Sequence, residues 1–284
     1  MIIEVRRVND YGKLFDAIAN YSKYDSELVI DLSGHSFIKP IGILAIVQTI
    51  IFFRQKNLCT KIIKPNNSGV ANYINQIGLM EFCEKNYESS TTLNAITSQT
   101  AMPLRRIDRN NMNAYIESAK NYFMRFCPGK DLTMLDVSIS ELINNSYDHS
   151  ESEIDAYIFC QYYPKTNQII VSVSDLGIGI PGSVNRFLRK NNKSELPDTE
   201  CILWALELNK SVQSKTYNKG LGLDNLLSFT KSTNAYLRII SNHAFYYDGQ
   251  YRFHSIKNFK GTMVEVQIKI NELDDIENSY FDLW

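Results

Sequence analysis

Neither sign of charge dominates this chain. Its 284 residues hold 30 Lys and Arg against 31 Asp and Glu, a formal net charge of −1. A nucleic-acid-binding surface would need a basic excess, and a basic partner would call for an acidic tail, so both are unexpected. Cysteine is sparse: Cys59, Cys83, Cys127, Cys160 and Cys201 are odd in number, widely scattered and never arranged as CxxC. That pattern supports neither a disulfide framework nor a structural zinc site, and it fits reduced thiols in a cytoplasm. No apolar run approaches the ~20 residues of a membrane span. The longest, from Ile41 to Phe53, is interrupted by Gln48 and Thr49 and reads as a buried helix. The opening residues lack the apolar segment and cleavage site of a signal peptide, so none is expected. There is no internal repeat, no low-complexity tract and no GxxxxGK[ST], which excludes a P-loop.

What remains is the balance of a globular protein, 44% hydrophobic and 21% charged, long enough for two domains. Residues 1–85 alternate short strands with helices. Strands are predicted over 2–7, 27–32 and 61–63. Helices are predicted over 11–22, 42–54 after a break at Pro40, and 72–82. Residues 86–100 are polar and rich in Ser and Thr, and read as a linker. Two helices then follow, over 113–126 and 132–148. A hairpin spans 154–174, turning at Lys165-Thr166-Asn167. Next come a long polar stretch (183–219) with one helical segment at 200–208, a helix from Gly222, and strands at 236–241, 251–256 and 261–270. Strands that follow one another directly point to an α+β sandwich. The fold class is therefore α/β followed by α+β, with residues 271–284 as a C-terminal tail.

Three patches in the second segment carry chemistry. In Ser140-Glu141-Leu142-Ile143-Asn144-Asn145-Ser146-Tyr147-Asp148-His149, the residues Glu141, Asn145 and His149 recur every four positions on one helix face. A carboxylate and an amide so placed can orient a water and hold a hard cation such as Mg²⁺, whose other ligands are waters and phosphates. The second patch, Asp175-Leu176-Gly177-Ile178-Gly179-Ile180-Pro181-Gly182, ends a strand and contains a literal GxGxxG. A dinucleotide fingerprint needs a helix opening at the glycines inside a parallel βαβ unit. Pro181 and the antiparallel-looking hairpin argue against both. Asp175 is more informative, since a carboxylate at a strand end can accept from an exocyclic amine while glycines let a ring approach the backbone. The third patch, Asn218-Lys219-Gly220-Leu221-Gly222-Leu223, runs glycines and a lysine into a helix N-terminus, a ready site for anions.

The order of the three patches resembles the GHKL superfamily of ATPases, whose nucleotide-binding domain is the Bergerat fold. ELINNSYDH is similar to its N-box, DLGIGIP to its G1 box and NKGLGLDNL to its G2 box, while Gly261-Thr262-Met263-Val264-Glu265-Val266 resembles the closing GT strand. The resemblance covers residues 101–270 and implies ATP and Mg²⁺ as ligands. Asn145 would then hold the metal and Asp175 the adenine amine. Gly177 and Gly179 would shape the adenine pocket, with Thr262 supporting it. Lys219, Gly220, Leu221 and Gly222 would meet the phosphates, residues 183–219 would form a lid, and Glu141 would be the general base. His149 matches an N-box position whose role stays open. Residues 1–85 resemble the STAS domain of anti-sigma-factor antagonists through the stretch Leu28 to Leu44. The family's acceptor serine is replaced by Ile41, which cannot take a phosphate. Together these resemblances imply a cytoplasmic, ATP-binding regulatory protein, an ATPase, whose partner docks on the STAS-like domain and for which a homodimer is compatible. The alternatives are an anti-sigma-type serine/threonine kinase acting in trans and a non-catalytic nucleotide-switched module. A sensor histidine kinase is disfavoured, because no histidine lies on a helix between 100 and 132.

Overall fold

The computed structural model describes residues 2–5, 11–21, 27–84, 100–107, 110–148, 156–207, 223–248 and 252–276. Its first part runs β1 (Ile2–Glu4), α1 (Tyr11–Ala19), β2 (Glu27–Asp31), α2 (Pro40–Gln55), β3 (Cys59–Ile63), α3 (Ser68–Gln76) and α4 (Leu79–Glu84). The three strands pair in parallel in the order β1-β2-β3. The second part runs β4 (Arg105–Ile107), α5 (Met112–Met124), α6 (Thr133–Asp148), β5 (Ala156–Tyr163), β6 (Gln168–Asp175), α7 (Gly179–Lys190), α8 (Asp198–Leu206), α9 (Leu223–Ser232), β7 (Leu237–Tyr247) and β8 (Arg252–Lys269). Its five strands form a sheet of order β4-β5-β6-β8-β7, antiparallel throughout. The chain is thus mixed α/β, with one parallel and one antiparallel sheet. No helix among the described residues is long and apolar enough to cross a membrane.

Helix α2 explains how the sheets come together. Every residue from Pro40 to Phe53 is buried. A helix apolar on all sides has no face to give to water, so it must be covered all round. It packs against α1 and β3 on one side and against β5, β6 and β8 on the other. Gly42 admits the ring of Tyr11, which a Cβ there would overlap. The core around α2 is continuous with Ala101, Leu104, Tyr157, Phe159, Leu176, Phe259 and Met263 from the second part of the chain. The opposite face of the five-stranded sheet offers Ile158, Cys160, Val171, Val173, Val264 and Val266 to α5 and α6. The period-two alternation of side chains makes the sheet two-faced.

The face toward α2 is part polar, and its Ser172, Ser174 and Glu265 side chains are hydrogen-bonded. Gln48 donates through Nε2 to Ser174 Oγ at 2.8 Å. Glu265, only 1% exposed, accepts from Ile41 N–H (3.3 Å), Ser172 Oγ (3.1 Å), Tyr236 OH (3.1 Å) and the Arg238 guanidinium (2.6 Å). Arg238 lies over the rings of Tyr236 and Tyr247, 5.3 and 5.1 Å from their centroids. Lys39 gives α2 no side-chain cap. The Glu265 carboxylate supplies one instead, where the helix dipole favours negative charge.

Several element boundaries differ from the sequence reading. Pro40 is the first residue of α2 rather than a break before it, as suits a residue with fixed φ and no N–H to leave unpaired. The single helix expected over 72–82 is two, α3 and α4. The Ile77 carbonyl between them accepts from Leu104 N–H instead of continuing a helical ladder. The two strands expected at 251–256 and 261–270 are one long strand, β8, and β7 extends to Tyr247 to pair with it.

Replacing Glu265 with Ala leaves Arg238 partly buried without its carboxylate and uncaps α2. It is expected to lower unfolding free energy by about 3 kcal/mol in urea titrations. Lys61→Ala removes an ion pair to Glu27 whose side chains are 64% and 38% exposed, and should leave the urea midpoint close to that of the wild type.

Candidate functional site

The site is built at one end of the five-stranded sheet, where β6 ends and β5 begins. Helix α6 is the wall above it, packed on β6 and β8. Asp131 caps its first turn by accepting from Thr133 N–H and Oγ at 2.8 and 2.7 Å. Leu135, Ile139, Leu142 and Ile143 seat the helix in the core. Interleaved with them, Ser138, Glu141 and Asn145 stand three and four residues apart along one face. Ser138 and Glu141 are buried. Ser138 Oγ and Asn145 Nδ2 are shielded from water without a hydrogen-bond partner among the described residues. A buried donor left this way costs ~1–3 kcal/mol, so such groups mark places where a ligand or water completes the bonding. The spacing of Ser138 from Glu141 is legible in the sequence, and Ser138 belongs with the candidate residues. His149 lies outside the described residues.

Asp175 is the floor. It ends β6, is 3% exposed, and faces Thr262 across the β6–β8 ladder. Its carboxylate accepts from the backbone N–H of Gly177 at 2.8 Å and from that of Thr262. Burial pushes its pKa up from 3.8 to about 7, and the two N–H groups pull the other way without cancelling it. Gly261 at φ +105° sits beneath this turn, and any Cβ there would strike the Asp175 carbonyl. Gly179 at φ +76° is likewise crowded by Asn242 and Ser241. Ser241 Oγ donates to the Gly261 carbonyl at 2.9 Å, lies 3.0 Å from Thr262 Oγ1, and accepts from Ile180 N–H at 2.9 Å. Ser241 and Asn242 have no motif in the sequence to reveal them. They reach the site only through strand pairing.

The structure thus brings the buried Glu141 and the half-buried Asn145 together on one helix face, and Asp175, Gly177, Gly179 and Thr262 together at the β6–β8 end. Lys219, Gly220, Leu221 and Gly222 lie outside the described residues. Two expectations are corrected. A helix, α7, does open at Gly179, and Pro181 is accommodated in its first turn. The dinucleotide fingerprint still lacks its context, because β6 is antiparallel to both neighbours. Residues 183–206 are not an open polar loop. Val184, Leu188 and Cys201 form a small core of their own with Phe187, Leu196 and Trp204 packed on it. The Asn185 amide pairs with both backbone groups of Leu196. Among the described residues no group of three His, Cys, Asp or Glu side chains converges as a metal centre. No protein-family model matches the chain, and no curated protein matches its sequence.

The raised pKa of Asp175 has a signed consequence for stability. Below pH 3.8 the group is protonated whether the chain is folded or not. Between 3.8 and about 7 only the unfolded chain ionises it, so stability falls as pH rises through that window and levels off above it. Asp175→Asn removes the ionisation. It is expected to flatten the loss between pH 5 and 7.5 by about 2–3 kcal/mol, measured by chemical denaturation at each pH. An unchanged slope would mean that Asp175 stays charged in the folded state.

Proposed function

We propose that the chain is an ATP-binding regulatory protein of the GHKL class and a Mg²⁺-dependent ATPase, with its nucleotide between the β6–β8 strand end and α6. The observation that carries this reading is the buried Asp175 carboxylate, held by two backbone N–H groups on the sheet face that α6 covers. A carboxylate so held still has acceptor capacity, and suits an exocyclic amine rather than a carbonyl oxygen. The orphaned Asn145 amide and the buried Glu141 on the facing helix fit the other half of the ligand. The Asn145 side chain would hold Mg²⁺ through its oxygen, with its buried N–H₂ left to meet a phosphate or water oxygen. When bound, the ion would neutralise phosphate charge. Glu141, one helical turn before Asn145, would take the proton from the attacking water. Lys219 and the Gly220-Leu221-Gly222 backbone would meet the phosphates.

The first part of the chain supports an STAS-like unit through its β1-α1-β2-α2-β3 order. The position of the missing acceptor, Ile41, is buried, and its N–H is engaged by Glu265. The unit would therefore act in cis, bearing on the nucleotide site through α2. A regulatory partner would have to use surfaces other than the covered α2.

Isothermal titration tests the reading. ATP is expected to bind and GTP not, with ATP affinity falling when Mg²⁺ is chelated and Asn145→Ala removing most of that dependence. Asp175→Ala should weaken ATP roughly ten- to hundredfold, the loss of a charge-assisted hydrogen bond of about 1.5–3 kcal/mol. Glu141→Ala should keep binding within a few-fold while phosphate release drops ~10²–10⁴-fold. Equal binding of GTP, or indifference to Asp175→Ala, would remove the pocket assignment. Radiolabel transferred to a protein acceptor instead of water would favour the kinase alternative.

A further inference from the structure

Three consecutive residues of β7 reach the helical hairpin formed by α7 and α8, which a regular strand could not manage. Side chains alternate along a strand, so neighbours point to opposite faces. Here the ladder is irregular. Ser241 pairs with Thr262 but Asn242 with Phe259, so one step on β7 answers three on β8. Asn242 itself adopts φ +49°. Irregularities of this kind re-aim side chains. Ser241 Oγ accepts from Ile180 N–H in the first turn of α7 while donating to the Gly261 carbonyl. Asn242 Nδ2 donates to the Ile178 carbonyl at 3.1 Å, just before α7. His243 meets Asp198 Oδ2, in the first turn of α8, through both its backbone N–H and ring Nδ1 at 3.0 Å each. The entries to both helices are therefore tied to one tripeptide, and Ser241 also touches Thr262, whose backbone N–H holds Asp175.

From this geometry we infer that Ser241, Asn242 and His243 are positioning residues. They join the α7–α8 hairpin to the Asp175 turn as one body, so that a ligand seated at Asp175 and the hairpin each fix the placement of the other. The ligand's identity rests on the nucleotide reading. The tether rests on the contacts alone.

Asn242→Gly keeps the left-handed backbone and removes only the amide, and Ser241→Ala is a second, independent lesion. In the ligand-free full-length protein, amide exchange across residues 179–206 is expected to speed up at least ~5-fold in either variant while β1–β3 stays unchanged. In titrations, Asn242→Gly should weaken ATP about tenfold in the wild-type background but under about twofold in an Asp175→Ala background, since the amide acts through Asp175. A purely structural role would give the same factor in both backgrounds and would overturn the inference. So would hairpin exchange that does not respond to either variant. A wild-type protein that fails to bind ATP at all would overturn the nucleotide reading, and the ligand-free exchange would still decide the tether.

Discussion

The structure turns on a helix that has no solvent face. α2 presents Ile, Leu, Val and Phe in every direction, and each such side chain contributes about 1.5–3 kcal/mol when taken out of water. The three-stranded sheet and α1 cover part of it. The remainder is covered by β5, β6 and β8 of the second sheet. A parallel sheet of three short strands with one covered face is a poor core by itself. The first 85 residues and the second part of the chain therefore share a core rather than meeting at a surface. The polar consequence is Glu265. Pro40 brings no N–H and Lys39 no side-chain cap, so the start of α2 takes its carboxylate from a strand 224 residues away in sequence.

That carboxylate shares its strand with the candidate site. Thr262 and Glu265 are three residues apart on β8, and Asp175 and Ser172 are three apart on β6. An odd separation puts residues on opposite faces. The same two paired strands consequently show Asp175 and Thr262 to α6, and Ser172 and Glu265 to α2. A shift of β8 relative to β6 that loosened the grip of Thr262 N–H on Asp175 would also disturb the grip of Glu265 on Ile41. Under the proposed function, this is the route by which the first part of the chain would report on nucleotide.

Much of this was legible in the sequence where the signal is local. The long apolar stretch at 41–53, broken only by Gln48 and Thr49, marked a buried helix, Lys165-Thr166-Asn167 marked the β5–β6 turn, and an acidic residue closing a strand before glycines marked Asp175. Signals that depend on partners distant in sequence were missed. Gly179 and Pro181 read as loop because their intrinsic helix propensities are poor. They begin a helix because Ser241, sixty-one positions on, accepts the Ile180 N–H. Gly261 read as the first residue of a strand, and its role is visible only once the Asp175 carbonyl is seen lying where a Cβ would be. The joining of the two sheets over α2 had no signature beyond the helix being more apolar than one small sheet requires.

The chemistry of the floor residue follows from the same packing. A buried carboxylate with two N–H donors is not fully compensated for lost water, which is why burial outweighs hydrogen bonding and the proton is held up to about pH 7. A ligand that adds a third donor lowers the cost of the charged form, while one that brings an acceptor meets the carboxylate's own lone pairs and is excluded unless the proton stays. Donor-bearing ligands should therefore release a proton on binding near neutral pH, and acceptor-bearing ones should not. The selectivity comes from withholding water rather than from adding contacts. Water is withheld because the far side of the sheet is sealed by α2 and the near side by α6, so the sharpness of the site depends also on a helix packed against the opposite face of the sheet.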